Sequence, residues 1–436
     1  MRVRLTTAYL AIVIGAYMVG LGNVWRFPAL LLKYGGSGLI AYLISVALLT
    51  TLIASVLKVA HVEVGGILEH YERLNFPAFT LFFLVLNVLF LSYYSTVGGL
   101  ALSSLITSKA PENILWKLLS SLAFILIVFV ILMAGKKRVF DIMAISLVAF
   151  LVLVSFVIFE MYSYVGNENE ILSSFKSLFA VKGFTVEMIA DMMAQAAYSL
   201  GVGLGFYLIF GSFMPKKASP AIIAVTGAII DTLASFMGLV LFLLVSAIIP
   251  TALITSTGII FELTPLILSK YLQMPLLKIG FNLTVLLVAI TSMVPLGEVA
   301  GTVYAKITGL HRTDGMIAVF IMTLFFGTLN VLLLSYNIDA IQILDKTVAV
   351  LLFFGTVIEA FGIRLSNVSP VWKYTGYIVS WLVGLVGVYY LAVSIKEHNY
   401  ASILVLLALF LLIIASNRPI KNRMRKVKRR QYFSYR

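Results

Sequence analysis

The feature that most constrains this sequence is a succession of long apolar segments between residues 5 and 416. A bilayer core about 30 Å thick is crossed by about 20 apolar residues of helix. The composition agrees, since 61% of the 436 residues are hydrophobic and only 11% are charged. A soluble chain of this size could not bury so much apolar surface, so the sequence predicts an all-α polytopic membrane protein.

Charged and turn-forming residues divide the apolar region into about twelve predicted membrane spans, numbered in chain order. They cover residues 5–32, 37–62, 77–107, 113–134, 139–164, 187–213, 218–249, 276–306, 315–336, 342–366, 371–395 and 400–416. The segment 256–272 is apolar but short and charged, and is interpreted as a re-entrant or helical external loop. We expect residues 1–416 to form one transmembrane domain and residues 417–436 to form a basic tail.

An even number of spans places both termini on one side of the membrane. Lysine and arginine are concentrated on that side, at Lys136–Arg138, Lys216, Lys217, Arg312 and Arg364. Because the opposite loops are poorer in these residues, the positive-inside rule predicts cytoplasmic termini in a multi-pass protein of the cell membrane.

The net charge of +14 owes much to the tail, which contains "RPIKNRMRKVKRR" directly after an apolar run. A basic flank beside a membrane helix is more typical of a cytoplasmic face near anionic lipid than of a nucleic-acid site. The chain has no cysteine, which excludes disulfides and thiolate metal sites.

Spans 1 and 6 contain residues that break helices. The sequence "VGLG" occurs at Val19–Gly22 and again at Val202–Gly205, and span 1 also carries Asn23 and Arg26. Small residues can serve close helix packing, and Gly201-x-x-x-Gly205 fits that alternative. Packing does not explain Asn23 and Arg26, however. Two breaks five helices apart are typical of transporters built from inverted repeats, in which unwound backbone lines a cavity.

Seven motifs stand in order along the chain: "GLGNVWRFP" and "KYGGSG" in and after span 1, "YYSTVGG" in span 3, "QAAYSLGVGLG" in span 6, "DTLASFMG" in span 7, "AITSMVPLGEV" in span 8 and "LDKTVAVLLFFGTVIEAFG" in span 10. They resemble motifs of the neurotransmitter:sodium symporter family, in particular its prokaryotic amino-acid transporters with the bacterial leucine transporter fold. The resemblance implies inverted five-helix repeats at about 5–164 and 187–366, followed by two further helices at about 371–416. It also implies sodium-coupled import of an amino acid by alternating access.

The resemblance further implies two sodium sites. Sodium is a hard cation that binds oxygen, including carbonyls released where a helix unwinds; this is argued by analogy with calcium and magnesium. The first site would consist of the Met18 carbonyl and the side chains of Asn23, Ser199 and Asp231. The second site would consist of the Ala16, Val19 and Val288 carbonyls and the hydroxyls of Thr291 and Ser292. Serine and threonine in helices also commonly bond to their own backbone.

The implied substrate site lies between the two breaks. The amides of Leu21 and Gly22 and the Tyr94 hydroxyl would hold a carboxylate, and carbonyls near Tyr198 and Ser199 would face the amine. The remaining expected lining residues are Phe90, Gly201, Leu204, Ser292 and Leu296. Family members that carry monoamines have an acidic residue where this chain has Gly20. The substrate is therefore expected to bring its own carboxylate, and the lining favours an apolar or aromatic amino acid.

The remaining predictions concern Arg26 and the acidic residues of the membrane spans. Arg26 is costly at membrane depth unless it is paired, and Asp345 in span 10 is its nearest match for the family's external gate. Glu298 and Glu359 are interpreted as structural ion-pair or hydrogen-bond partners. Because Asp231 is acidic where chloride-dependent relatives have asparagine, chloride is not expected to be required.

Other classes fit less well. "HVE" at His61–Glu63 resembles half of a zinc deaminase signature, but no cysteine completes it. Gly201-x-Gly203-x-Gly205 lacks the strand and the acidic partner of a dinucleotide motif. An enzyme is therefore not expected. A transporter of another carboxylate-bearing zwitterion, or a channel or receptor on the same fold, stays an alternative.

Overall fold

The computed structural model describes residues 6–62, 66–106, 113–164, 176, 178–181, 183–248, 275–336, 340–365, 368–396 and 400–434. Every regular element in these ranges is helical, which confirms the predicted fold class. The helices are α1 (Thr7–Met18), α2 (Leu21–Val24), α3 (Arg26–Val62), α4 (Ile67–Arg73), α5 (Phe79–Ile106), α6 (Ile114–Met133), α7 (Lys136–Tyr164), α8 (Val186–Leu200), α9 (Phe206–Gly211), α10 (Pro220–Ile248), α11 (Pro275–Thr308), α12 (Arg312–Ser335), α13 (Ala340–Phe361), α14 (Pro370–Lys396) and α15 (Tyr400–Ser434). The predicted external loop at 256–272 lies outside the described residues.

Nine of the helices within these ranges are long and apolar enough to cross a membrane. They correspond to spans 2–5, 7–9, 11 and 12. Span 10 corresponds to α13, with 22 residues, and spans 1 and 6 are each divided into shorter helices. The described helices therefore match the predicted order of spans and indicate a multi-pass membrane protein.

Span 1 is divided twice before it joins span 2. Helix α1 ends at Met18, and Val19 and Gly20 are extended before α2 begins. After a second irregularity at Trp25, α3 contains both the C-terminal end of span 1 and the whole of span 2. The two parts of α3 meet in a kink at Gly35, where φ is 62° and ψ is −150°. Only glycine adopts this conformation readily, so the predicted loop between the spans is reduced to a sharp turn.

Span 6 is divided by a glycine-rich segment. Helix α8 ends at Leu200 and α9 begins at Phe206, and Gly201, Gly203 and Gly205 between them all have positive φ. Residues with side chains would be strained at these positions, which is why "GVGLG" interrupts an otherwise apolar helix. Both predicted breaks are therefore present in the described residues.

The helices differ strongly in burial. In an apolar 18-residue stretch of α5 and of α11, 72% and 78% of the residues are buried inside the protein, whereas the corresponding share in α6, α12 and α14 is 28%. Helices α5 and α11 pack against each other at the centre of the molecule. The three less buried helices present most of their apolar side chains outward, as expected of helices that face lipid.

The predicted cytoplasmic face is held by an ion pair between α4 and the end of α11. Lys306 Nζ lies 2.6 Å and 2.8 Å from the two carboxylate oxygens of Glu69. Burial alone would raise the pKa of Glu69, but the hydrogen bonds and charge of Lys306 outweigh it and hold the pKa below its ordinary value. The loop between spans 2 and 3 is thus fixed to the inner end of span 8.

Span 12 is longer than predicted. Helix α15 continues to Ser434, past the predicted end at residue 416 and through most of the basic tail. Its first turns beyond residue 416 contact Asn75, whose carbonyl accepts from Asn417 Nδ2 at 3.4 Å and whose side-chain oxygen accepts from Lys421 Nζ at 3.0 Å. The hydropathy pattern ends where the apolar residues end, but lysine and arginine are good helix formers and the backbone continues without a break.

Candidate substrate and ion site

A cavity lies where the break in span 1 and the last turn of α8, just before the break in span 6, face α5 and α13. It contains eight of the residues predicted to bind substrate or sodium or to form the gate, namely Leu21, Gly22, Asn23, Arg26, Phe90, Tyr94, Tyr198 and Ser199. Five further residues line it, Gly20, Trp25, Tyr93, Leu344 and Val348. Phe90 and Tyr94 are four residues apart on α5, so both project from one face of that helix into the cavity.

Aromatic side chains form much of the cavity wall. The Phe90 ring packs edge-to-face against Tyr198, with 5.9 Å between centroids. The Arg26 guanidinium carbon lies 4.5 Å from the centroid of the Tyr198 ring. This is within the range of a cation–π interaction. The lining of the cavity thus includes a positive charge over an aromatic face.

Gly20 is the point at which the break in span 1 meets α5 and α11. A side-chain carbon at Gly20 would lie 3.4 Å from the Tyr94 hydroxyl and 3.4 Å from Ser292 Oγ. The missing side chain therefore leaves a small polar space, with hydroxyls on one side and the amides of Leu21 and Gly22 beside it. Hydroxyl and amide donors that converge in this way can hold a carboxylate.

Four residues that were expected to line the pocket lie outside the lining that the structure gives. The Gly201 carbonyl accepts a 2.6 Å hydrogen bond from Tyr17, and the Leu204 carbonyl accepts a 2.9 Å bond from Asn87. Both residues thus stabilise the unwound backbone, and Leu296 is buried in the apolar core. Ser292 also lies outside the lining, although its hydroxyl approaches Gly20.

The three side chains predicted to bind the first sodium ion form one buried polar cluster. Asn23 Nδ2 donates to Ser199 Oγ at 2.8 Å and to Asp231 Oδ1 at 2.7 Å. Ser199 Oγ donates to both Asp231 oxygens, at 2.8 Å and 2.9 Å. The Asn23 oxygen accepts from the Gly20 amide at 2.8 Å, so the same side chain also stabilises the break in span 1. The Met18 carbonyl lies on the other side of this break.

Two residues not assigned from the sequence complete the cluster. Ser235 Oγ accepts from Asn23 Nδ2 at 2.8 Å, and the Tyr42 hydroxyl lies 3.2 Å from Ser235 Oγ and 3.4 Å from Asp231 Oδ2. Ser235 is one turn after Asp231 on α10, so its spacing could have identified it. Nothing in the local sequence distinguishes Tyr42, because its role depends on how α3 packs against α10.

The hydrogen-bond partners of the Asp231 carboxylate within the described chain are all neutral. They are the amide of Asn23 and the hydroxyls of Ser199 and Tyr42. Asp231 is fully buried, and a buried carboxylate is strongly disfavoured unless a cation or a proton compensates its charge. The cluster therefore provides oxygen atoms and a negative charge in a place from which water is excluded.

Hydrogen bonds connect only some of the residues predicted to bind the second sodium ion. Thr291 Oγ1 donates to the Val288 carbonyl at 2.9 Å and lies 3.3 Å from the Val19 carbonyl, which brings α11 onto the break in span 1. The Ala16 carbonyl loses its usual helical donor, because the Gly20 amide donates to Asn23 instead. Ser292 follows Thr291 and approaches Gly20. Oxygen atoms from both helices thus meet beside the break.

The remaining acidic residues occupy different positions. The Asp345 side chain lies outside the described residues, so its predicted pairing with Arg26 has no geometry to report. Glu298 accepts from Arg312 Nε at 3.1 Å and lies 3.9 Å from Lys136, which confirms it as an ion-pair partner. Glu359 Oε2 accepts from the Gly203 amide at 2.7 Å, which confirms it as a hydrogen-bond partner of the break in span 6.

Comparison with known proteins gives a fold and no close relative. No family model and no curated protein matches the sequence. Among solved structures, the chain matches MhsT in complex with L-phenylalanine, with a TM-score of 0.73 and 18% sequence identity. The match covers 88% of this chain and 97% of that chain. This chain has the fold of that protein. At the level of fold, the match bears out the resemblance to the neurotransmitter:sodium symporter family.

Proposed function

We propose that this chain is a sodium-coupled symporter that imports an apolar or aromatic amino acid by alternating access. The observation that carries the proposal is the buried Asp231, whose described partners are neutral, next to a cavity lined by the break in span 1 and the last turn of α8. Sodium bound by Asn23, Ser199 and Asp231 would supply the compensating positive charge. For this, the Asn23 amide would present its oxygen to the ion, since sodium binds oxygen and not an amide nitrogen.

The cavity supports an amino acid as the substrate. The carboxylate is proposed to bind beside Gly20, between the Tyr94 hydroxyl and the amides of Leu21 and Gly22, all of which line the cavity, and Gly20 supplies no acidic group for a lone amine. Carbonyls near Tyr198 and Ser199 would face the amino group. The apolar side chain would contact the rest of the wall, formed by Trp25, Phe90, Tyr93, Leu344 and Val348. L-phenylalanine in MhsT has this chemistry.

The second ion is proposed to bind the Ala16, Val19 and Val288 carbonyls with Thr291 and Ser292, on the strength of the contacts between α11 and the break. Residues 1–416 form the transporter domain, with both termini in the cytoplasm of a cell-membrane protein. The basic residues at the start of α7, at the end of α11 and in the last part of α15 support this orientation.

Thermal stabilisation tests the proposal on purified protein. A panel of amino acids in sodium, and again in potassium, is expected to raise the melting temperature for at least one apolar or aromatic amino acid, and more in sodium. A ligand that binds only the folded state stabilises it by mass action, by about 2.7 kcal/mol at a concentration 100 times Kd. No sodium-dependent shift with any amino acid would overturn the symporter proposal.

Uptake into proteoliposomes separates a transporter from a channel on the same fold. A symporter accumulates the amino acid against its gradient when sodium flows inward, whereas a channel only equilibrates it. Asp231→Asn is expected to weaken the sodium dependence at least tenfold, and Asp314→Asn, at the start of α12, is the matched control that leaves it unchanged. Equal sodium dependence in both variants would show that Asp231 does not bind the ion.

Chloride is not required under this proposal, because Asp231 already provides the negative charge that chloride would offer. Replacing chloride with gluconate during sodium-driven uptake is expected to leave wild-type transport unchanged. In Asp231→Asn, chloride is expected to restore part of the lost sodium affinity. A large loss of wild-type transport in gluconate would contradict this assignment.

Arg26 and Asp345 are proposed to form the outer gate. Arg26 lies over the Tyr198 ring in the cavity lining, and Leu344, the neighbour of Asp345, lines the same cavity. Alanine at either position is expected to impair transport, and the double variant is expected to be no worse than the more impaired single variant. Additive losses would show that the two residues act separately.

A further inference from the structure

The outer half of span 1 and helix α8 are joined by two sets of side-chain contacts. The inner set is Arg26 over the Tyr198 ring, at the cavity. The outer set centres on Asp191, whose Oδ2 accepts a 2.5 Å hydrogen bond from the Tyr34 hydroxyl. Lys33 Nζ lies 3.5 Å from the same oxygen. Tyr34 is the last residue before the kink at Gly35, so Asp191 holds the outer end of span 1.

The distance between the two sets is nearly the same along α3 and along α8. Arg26 and Tyr34 are eight residues apart in α3, which is about 12 Å along a helix, and Asp191 and Tyr198 are seven apart in α8, or about 11 Å. The helices run in opposite directions, so Asp191 stands two turns outside the cavity on the same interface. A change at Asp191 is therefore expected to alter the distance between Arg26 and the Tyr198 ring.

A third helix, outside both repeats, reaches the same carboxylate. The Tyr390 hydroxyl of α14 donates to Asp191 Oδ1 at 2.6 Å. The Tyr390 ring stacks on Phe353 of α13, with 5.6 Å between centroids and 25° between planes. Helix α13 also carries Leu344 and Val348 in the cavity wall. Asp191 thus connects the outer end of span 1 and α8 to a helix that packs against the opposite wall.

Asp191 differs from the neighbouring acidic residue. Glu187 pairs with Lys33 at 2.8 Å, but both side chains are more than half exposed. Pairs of that kind contribute little. The Asp191 side chain is only 21% exposed and accepts two hydrogen bonds from tyrosines on different helices. Hydrogen bonds to a charged acceptor are stronger than neutral ones.

We propose that Asp191 is a positioning residue of the transport cycle. Through Tyr34 it holds the outer half of span 1 to α8, and through Tyr390 it latches this pair to α14, so that Arg26 and Tyr198 stay closed over the cavity. Opening of the cavity to the outside breaks the Asp191–Tyr390 bond. The assignment to a transport cycle rests on the proposed function, whereas the latch itself is a property of the fold and can be tested without substrate.

The absence of cysteine from the sequence makes the test direct. A single cysteine in place of Leu344, in the cavity wall, is labelled from outside with a membrane-impermeant maleimide in the full-length protein. Asp191→Asn and Tyr390→Phe are each combined with Leu344→Cys. Both are expected to raise the labelling rate about tenfold, because a hydrogen bond to a charged group that holds the closed state is lost.

Matched controls separate the latch from general loosening of the protein. Tyr389→Phe removes a hydroxyl from the adjacent residue of α14 and is expected to leave the rate unchanged. A cysteine in place of the exposed Val186, at the start of α8, is expected to label equally in every background. Melting temperatures of the variants are measured alongside.

Unchanged labelling of Leu344→Cys in both Asp191→Asn and Tyr390→Phe would overturn the latch, even if amino-acid binding persists. A rise in Tyr389→Phe equal to that in Tyr390→Phe would also overturn it. Conversely, faster labelling confined to the Asp191 and Tyr390 variants supports the latch even in a protein that binds no amino acid in sodium. The latch and the proposed function can therefore fail independently.

Discussion

The two helix breaks stand at matching places in the two repeats, yet different forces maintain them. In span 1, Val19 and Gly20 have extended backbone that any residue can adopt. The Asn23 side-chain oxygen accepts a hydrogen bond from the Gly20 amide, which has no helical partner. In span 6, three glycines have positive φ, and Glu359, Asn87 and Tyr17 bond to the exposed backbone. The first break depends on a polar side chain that also belongs to the ion cluster, and the second on glycine itself.

The difference teaches where each break is vulnerable. The segment of span 6 lies directly against α13, because a side-chain carbon at Gly355 would come within 2.2 Å of the Gly203 carbonyl. Backbone packed on backbone leaves no room to adjust. The break in span 1 borders the cavity instead, so changes there affect binding before they affect folding.

Gly203→Ala is the change expected to have the largest effect. Its φ of 78° disfavours alanine by about 1–2 kcal/mol. The added carbon would also lie 2.4 Å from the Leu352 carbonyl. We expect a clear fall in melting temperature and loss of transport. Gly183→Ala, where the added carbon meets nothing within 4 Å, is the control. Equal stability of the two variants would show that glycine conformation does not maintain the second break.

Asn23→Ala is expected to separate binding from stability at the first break. It removes the oxygen that accepts from the Gly20 amide and the amide that donates to Asp231. The Asn23 and Asp231 side chains are both fully buried. We expect sodium affinity to fall at least tenfold, with destabilisation of about 1–3 kcal/mol from the groups left without partners. Asn113→Ala, which removes only the cap of α6, is the control and should leave sodium affinity unchanged. Sodium titration of the melting temperature measures both effects.

Glu359 tests whether the second break needs a side-chain acceptor as well as glycines. Glu359→Leu leaves the buried Gly203 amide without its 2.7 Å acceptor, at a cost of about 1–3 kcal/mol. Glu359→Gln keeps an oxygen acceptor and is expected to retain most of the stability. If the two variants melt at the same temperature, the bond to Gly203 contributes nothing.

Gly20→Ala is expected to have the smallest effect on folding. Its φ of −128° suits any residue, and the added carbon would meet Tyr94 and Ser292 at 3.4 Å, close to ordinary contact. The methyl group would nevertheless enter the space proposed for the carboxylate. We expect a stability change below about 1 kcal/mol and a clear loss of amino-acid affinity. Unchanged affinity would place the carboxylate elsewhere.

The sequence alone predicted most of the architecture. Apolar run length located the spans, and "GLGN" and "GVGLG" located both breaks, because a helix in a bilayer tolerates such residues only where its backbone has another partner. The resemblance in motifs then indicated Asn23, Ser199 and Asp231, which lie 176 and 208 residues apart in the chain and form one cluster in the structure.

Only the tertiary structure decided which way the unwound residues face and what they touch. Gly201 and Leu204 point their carbonyls to Tyr17 and Asn87 outside the cavity lining, since a segment without helical periodicity gives no rule for side-chain direction. Tyr42 and the Asp191–Tyr390 bond likewise depend on packing between helices distant in sequence. Local pattern fixes where a helix forms or breaks, because those energies arise within a few residues. Contacts across the bundle depend on the rotation and depth of every helix at once.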